Sequence, residues 1–164
     1  MGLLKENISF VVVCYKSSLA LKSLLLSIPK ESEVILVDNS QDKETEEIAN
    51  LYDCILIQNQ ENLGYGAACN IGSKKASGSY LFFINPDSKL MPETLTELIK
   101  AANNYPEASA FNPKIIDQSG KQNFKRRSVL LPKSEWMSRK SPSFDRDISV
   151  LSGAAIFIKK ENFL

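Results

Sequence analysis

Residues 8–14 read ISFVVVC and residues 34–40 read VILVDNS. Both are runs dominated by β-branched, aliphatic and aromatic side chains, too short for helices and without the polar alternation of a half-exposed strand. Runs of this kind are strands covered on both faces, the condition of a parallel sheet. Between them Leu21, Leu24, Leu25 and Ile28 recur at helical spacing until Pro29, with Ser17 and Ser18 placed to cap the start.

The same rhythm continues outward. Asp42 is placed to cap a short acidic helix through Asn50, and Cys54 to Ile57 reads as a third strand. After the loop NQENLG, the Ala-rich stretch Tyr65 to Ala76, interrupted by Gly72, predicts a closely packed helix. Tyr80 to Ile84 is a fourth buried strand, and Pro92 suits the first position of a helix carrying Leu95, Leu98 and Ile99 and ending near Asn104. Alternation of this type predicts an α/β fold, a mostly parallel central sheet flanked by helices, in a single domain of 164 residues. The pattern breaks after Phe111. Asp117 to Asp147 is polar and punctuated by Gly120, Pro132 and Pro142, which predicts a hairpin or long mobile loop over 117–147. Val150 to Ile158 resumes a strand pattern around Gly153.

Composition removes several classes of function. Twenty Lys and Arg against nineteen Asp and Glu leave no general field to attract nucleic acid. The chain has no histidine, so zinc enzymes and Ser-His-Asp hydrolases fall away. Cys14, Cys54 and Cys69 form no CxxC pair and are odd in number, which fits a reducing cytoplasm better than a disulfide framework. The opening MGLLKENISFVVVCYK is too short an apolar run to span a bilayer and precedes no small-residue cleavage site, so a soluble protein is expected. Glu6 stands where a myristoylation motif wants Ser or Thr.

In open α/β sheets, ligands bind beyond the carboxyl ends of the strands, where strand order reverses. The expected rim holds Cys14-Tyr15-Lys16, Asp38-Asn39-Ser40 and Asn85-Pro86-Asp87. Asp38 can accept the imide N–H of uracil or thymine, or can serve only as a turn and helix cap. Asp87, stiffened by Pro86 and partnered by the neutral Asn85, can share a divalent cation with a diphosphate, or can close an Asn-Pro-Asp turn. Lys121, Lys125, Arg126, Arg127, Lys133, Arg139 and Lys140 can clamp a diphosphate, face an anionic membrane surface, or form a solvated loop. Arg126 and Arg127 are the expected phosphate contacts, since a guanidinium binds phosphate in bidentate fashion. Gly64-Tyr65-Gly66-Ala67-Ala68-Cys69 looks like a dinucleotide fingerprint but follows the third strand, not the first, and ends in Cys69. A nucleotidyltransferase would want a Gly-rich phosphate loop after the first strand, and CYKSSLALKS supplies none.

Taken in order, ISFVVVCYK, VILVDNS, ENLGYGAACNIG, YLFFINPD, FNPKIIDQSGK with its RR, and VLSGAAIFIKKENF resemble the family-2 glycosyltransferases, especially the rhamnosyltransferase-like branch. The resemblance runs from near Ile8 to the last residue. It implies a GT-A type nucleotide-diphospho-sugar transferase fold, a uridine or thymidine diphosphate sugar as donor, and Mg²⁺ or Mn²⁺ as cofactor. By resemblance, Tyr15 and Asp38 hold the base, Asn62, Gly64, Tyr65 and Asn70 line the donor pocket, and Asp87 carries the metal on the diphosphate. NPD in place of two aspartates is common in the rhamnosyl branch and points toward deoxythymidine-diphosphate-rhamnose. Lys16 departs from the family, which usually has Asn after the Tyr. The family further implies inversion at the anomeric carbon, a glycan or lipid-linked acceptor, and work at the inner face of the membrane. Its carboxylate base normally follows the GA-containing strand, so the catalytic base is expected beyond Leu164. Two accounts follow: a C-terminally truncated transferase, or a donor-binding protein without transfer activity.

Overall fold

The computed structural model describes residues 8–117, 119–123 and 151–163. Among these residues, eight strands and four α-helices follow in the order β1 (Ile8–Cys14), α1 (Ser18–Ser27), β2 (Glu33–Asp38), α2 (Lys43–Leu51), β3 (Ile55–Gln58), α3 (Tyr65–Lys75), β4 (Tyr80–Ile84), α4 (Thr94–Asn104), β5 (Ala110–Phe111), β6 (Ile115–Ile116), β7 (Gln122–Asn123) and β8 (Ala155–Lys159). The main sheet has the order β3-β2-β1-β4-β8-β5. Strands β1 to β4 pair in parallel, while β8 runs antiparallel between β4 and β5.

Alternation along the strands divides the core into two layers. Phe10, Val12 and Cys14 of β1 and Phe82 and Ile84 of β4 face one layer, shared with α1, α2 and α4. Val11 and Val13, with Leu81 and Phe83, face the other, where α3 lies and where Phe163 packs its ring 4.7 Å from Phe83. The split follows from the strand order. The β1 to β2 to β3 connections advance one way, and the β3 to β4 connection returns past both strands, so crossovers of constant hand place α3 on the opposite face.

Gly72 lets α3 approach the sheet. A Cβ there would lie 2.5 Å from Val11 Cγ1 and 3.1 Å from Val37 Cγ2, so only a hydrogen fits. The close packing expected from this glycine is therefore present.

Most element ends fall within one residue of the sequence reading, and three features depart from it further. Ser17 occupies the N-cap of α1 but makes no capping bond, and its buried hydroxyl has no partner; Ser18 instead donates to Glu44 Oε2 at 2.6 Å, tying α1 to α2. Pro92 lies in a turn before α4, which starts two residues later, because the Thr94 amide donates to the Met91 carbonyl and Thr94 Oγ1 accepts from the Met91 amide. The last strand begins at Ala155, beyond Gly153; Val150 lies outside the described residues. Of the expected hairpin or loop at 117–147, the described part is a tight hairpin. Asp117 Oδ1 accepts from the amides of Ser119 and Lys121 across Gly120, which has φ +78°, and β6 pairs with β7. The remainder lies outside the described residues.

Candidate functional site

The carboxyl ends of β1, β2 and β4 meet at one rim, on either side of the point where strand order reverses. Cys14 pairs with Asp38, and the Asn39 amide donates to the Cys14 carbonyl at 2.9 Å, so β2 is tied to β1 at its last residue. On the other side of β1, Val11 pairs with Phe83 and the chain climbs through Ile84 to Asn85-Pro86-Asp87. Two strand spacings separate β2 from β4, about 10 Å, a span suited to a base at one end and a diphosphate at the other.

Backbone conformation marks the same rim. Lys16 and Gln41 both have φ of 51°, a region that costs a non-glycine residue about 1 kcal/mol or more. Each is held by a cross-rim bond: the Lys16 amide donates to Ser40 Oγ at 3.0 Å, and Gln41 Nε2 donates to the Gln60 carbonyl at 2.7 Å. Tyr15 projects from the rim, 52% exposed, with the Lys16 ammonium 5.7 Å from its ring centroid.

Asp38 is completely buried and its carboxylate is already engaged. Oδ1 accepts from the Ser40 amide at 2.8 Å and the Ser40 hydroxyl at 2.7 Å, and Oδ2 accepts from the Asp42 amide at 2.7 Å. Asp42 in turn caps α2, accepting from the Glu44 amide and the Thr45 hydroxyl. The turn-and-cap reading of this segment thus holds in full, and Asp38 organises the rim from behind. Asp87 is the opposite case. The Ser88 amide donates to the Asn85 carbonyl at 3.1 Å, closing a turn that leaves Asp87 exposed, with no hydrogen bond or ion pair to any other described residue. A lone, solvated carboxylate with a neutral amide two residues before it suits a hard cation that takes its other ligands from a phosphate and water. Among the described residues no group of three or more His, Cys, Asp or Glu is assembled for a metal.

The β3 end and the α3 start complete the rim. Asn59, one residue past β3, donates from Nδ2 to Asn39 Oδ1 at 2.7 Å, and Asn39 Nδ2 reaches the Gly64 carbonyl at 3.4 Å. Asn39 is therefore a buried link between loops. Asn59 went unnoticed in the sequence, although the rule that selects strand ends applies to it equally. Gly64 takes φ +80° and is the N-cap of α3, its amide donating to Asn62 Oδ1 at 3.0 Å; no side chain caps the helix. Asn62 and Asn70 are exposed. Tyr65 begins α3 and its hydroxyl donates to the Gly153 carbonyl at 2.9 Å; burial pushes this hydroxyl's pKa upward, so it stays a donor.

Cys14 does not bring its side chain to the rim. Its position in the β1 alternation points the thiol into the core beside α1, and burial raises its pKa to about 12; only its carbonyl belongs to the site. Pro86 is half-buried in the turn. Arg126 and Arg127 lie outside the described residues. At the opposite edge of the sheet a shallow groove is lined by residues 77–80 and 159–161, among them Glu161. No described helix is long and apolar enough to cross a membrane.

Known proteins share this architecture. The chain is 28% identical over 121 residues to the low-salt glycan biosynthesis hexosyltransferase Agl10 of Haloferax volcanii, covering 70% of this chain and 38% of that protein. It is 29% identical over 124 residues to the poly-beta-1,6-N-acetyl-D-glucosamine synthase of Staphylococcus aureus, covering 70% of this chain and 30% of that protein. The chain thus spans well under half the length of these relatives. Among solved structures, the mannosyltransferase PcManGT from Pyrobaculum calidifontis, in complex with GDP-Man and Mn²⁺, superposes with a TM-score of 0.68 at 15% identity, over 96% of this chain and 45% of that one. S. aureus TarS 1–349, in complex with UDP-GlcNAc, does so with a TM-score of 0.55 at 26% identity, over 69% of this chain and 37% of that one. The mixed α/β sheet is accordingly that of GT-A type glycosyltransferases. With residues 9–163 matching the family described as "Glycosyl transferase family 2", the chain belongs to that family.

Proposed function

We propose that this chain is the donor-binding part of an inverting glycosyltransferase that uses a nucleoside-diphosphate sugar, dTDP-rhamnose or a UDP-sugar. The observation that carries the reading is the contrast at one rim between Tyr15, open for a base at the end of β1, and Asp87, a carboxylate beyond the adjacent β4 with no partner among the described residues. Tyr15 stacks on the base, while Asp38, wholly buried and committed to the Ser40 amide and hydroxyl and the Asp42 amide, fixes the turn beneath it. The uncapped first turn of α3, with Asn62 and Gly64 before it and Asn70 beyond, faces the diphosphate with free amides. Arg126 and Arg127 add positive charge to the same group.

The donor set at Asn85 and Asp87 fits a hard cation, Mg²⁺ or Mn²⁺, which when bound would stabilise negative charge on the leaving diphosphate. The structural neighbours' ligands, GDP-Man in one and UDP-GlcNAc in the other, share a diphosphate and differ in the base, which supports the phosphate half of the site most directly. The rhamnosyl assignment rests on the NPD motif alone.

The acceptor is proposed to be a glycan or lipid-linked saccharide met at the cytoplasmic face of the membrane. Glu161 sits at the edge of the sheet opposite the rim, so it does not serve as the base that deprotonates the acceptor.

Calorimetric titration of UDP and dTDP, with and without Mn²⁺, tests the site. Tyr15→Ala is expected to weaken nucleotide binding whether or not metal is present, by about tenfold for a lost base stack. Equal affinity of wild type and Tyr15→Ala for both nucleotides would remove the base subsite.

A further inference from the structure

Residues 152–155 cross the rim as a strap, and one side chain outside the expected site holds it. Strand β5 pairs with β8 through Ala110 and Phe111, but Pro113 has no N–H with which to extend the ladder. Asn112 substitutes its side-chain amide for that backbone. Its Oδ1 accepts from the Ser152 amide at 2.5 Å, and its Nδ2 donates to the carbonyls of Ser152, at 3.1 Å, and of Ala155.

The strap so held then meets both halves of the site. The Gly153 carbonyl accepts from the Tyr65 hydroxyl at the start of α3, and the Ala154 carbonyl accepts from the Asn85 amide at 3.0 Å, at the base of the turn that carries Asp87. Tyr65 is thus a latch, and the strap is the rigid piece that fixes the spacing between α3 and the Asn85–Ser88 turn.

We propose that Asn112 is a positioning residue of the donor site, acting through the 152–154 strap to set Asp87 against the first turn of α3. The proposal rests on the donor-site reading above and extends it to residues that touch no ligand. It requires a selective effect: metal-assisted diphosphate binding depends on the strap, while base binding at Tyr15, at the end of β1 and outside the strap's contacts, does not.

The test is calorimetry with UDP, with and without Mn²⁺, on the full chain, together with amide hydrogen exchange at Asn85. For Asn112→Ala, exchange at Asn85 is expected to accelerate, the Mn²⁺-dependent gain in UDP affinity to fall about tenfold, and metal-free affinity to stay within about twofold. Tyr65→Phe, which keeps the ring and removes only the hydroxyl, is expected to shift the same two quantities in the same direction by a smaller factor and guards against misfolding of the Asn112 variant. Unchanged Asn85 exchange in both variants overturns the proposal, as does faster exchange with an intact Mn²⁺-dependent gain, which would make the strap merely structural. Absence of UDP and dTDP binding by the wild type overturns the donor-site reading itself, an outcome the exchange data separate from failure of the strap.

Discussion

Strand β2 begins and ends with a carboxylate, and its two ends serve different purposes. At the start, Glu33 accepts from the Ser9 hydroxyl and from the amide and hydroxyl of Ser77, both at 2.8 Å, while the Gly78 amide donates to Ser9 Oγ. At that edge the carboxylate fastens the α3 to β4 connection to β1 and β2. At the other end, Asp38 is equally saturated, but what it fastens is a rim carrying an exposed ring at Tyr15 and, at Asp87, a carboxylate with no partner among the described residues. A sheet edge whose polar groups are all spent within the fold is scaffolding. An edge that spends some in order to hold others open has the makings of a site.

The largest expected effect is at the saturated end of the rim. Asp38→Ala removes three hydrogen bonds to a wholly buried carboxylate and strands their donors, so chemical denaturation should show a loss of about 3 kcal/mol. A loss below about 1 kcal/mol would mean that the turn holds itself and that Asp38 is free for a ligand.

Glu33 gives a smaller, pH-dependent effect. Burial opposes its charge, but the hydrogen bonds from Ser9 and Ser77 outweigh this and lower its pKa from 4.5. The folded value lies below the unfolded one, so Glu33 contributes stability that is fully present above pH 4.5 and is lost as pH falls through the folded pKa. Glu33→Gln should flatten the acid limb of the stability profile in that window. An unchanged acid limb would assign acid sensitivity to other groups and blur the distinction between the two edges.

Asp87→Asn should be the smallest in stability and the most telling in binding. With no partner among the described residues, its loss is expected to change the unfolding free energy by no more than about 0.5 kcal/mol. The Mn²⁺-dependent gain in nucleotide affinity should disappear in the same variant. A clear destabilisation would reduce Asp87 to a turn residue and bring the rim closer in character to the Glu33 edge.

Much of the scaffold was legible because local chemistry settles it. Ile8–Cys14 and Tyr80–Ile84 were bounded to the residue, since a dense β-branched and aromatic run flanked by polar residues has one economical interpretation. Asp42 was placed correctly as a cap, and Gly72 as a close approach. What escaped was non-local. No pattern in residues 155–159 announces that this strand runs antiparallel and slips between β4 and β5, because pairing partners are chosen by the assembled sheet. Ser17 looked like a cap, yet the hydroxyl is buried away from the helix amides. At the rim, the positions of Tyr15 and Asp87 were legible from the strand-end rule, whereas the burial of Cys14 and Asn39 depends on which way each faces. Asn59 and Asn112 act through contacts 20 and 40 or more residues away, and a lone asparagine carries no mark of such a partner.

Gly72 lies seven residues beyond Tyr65 along α3, about 10 Å at the rise of a helix. The contact that admits only a hydrogen there works as a fulcrum. A methyl group added at this point would pry the helix off Val11 and Val37, and the tilt would grow toward the end where Gly64 and Tyr65 sit. A residue wholly inside the protein thereby sets the height of a surface loop, and mutations at this pivot would present themselves as binding defects.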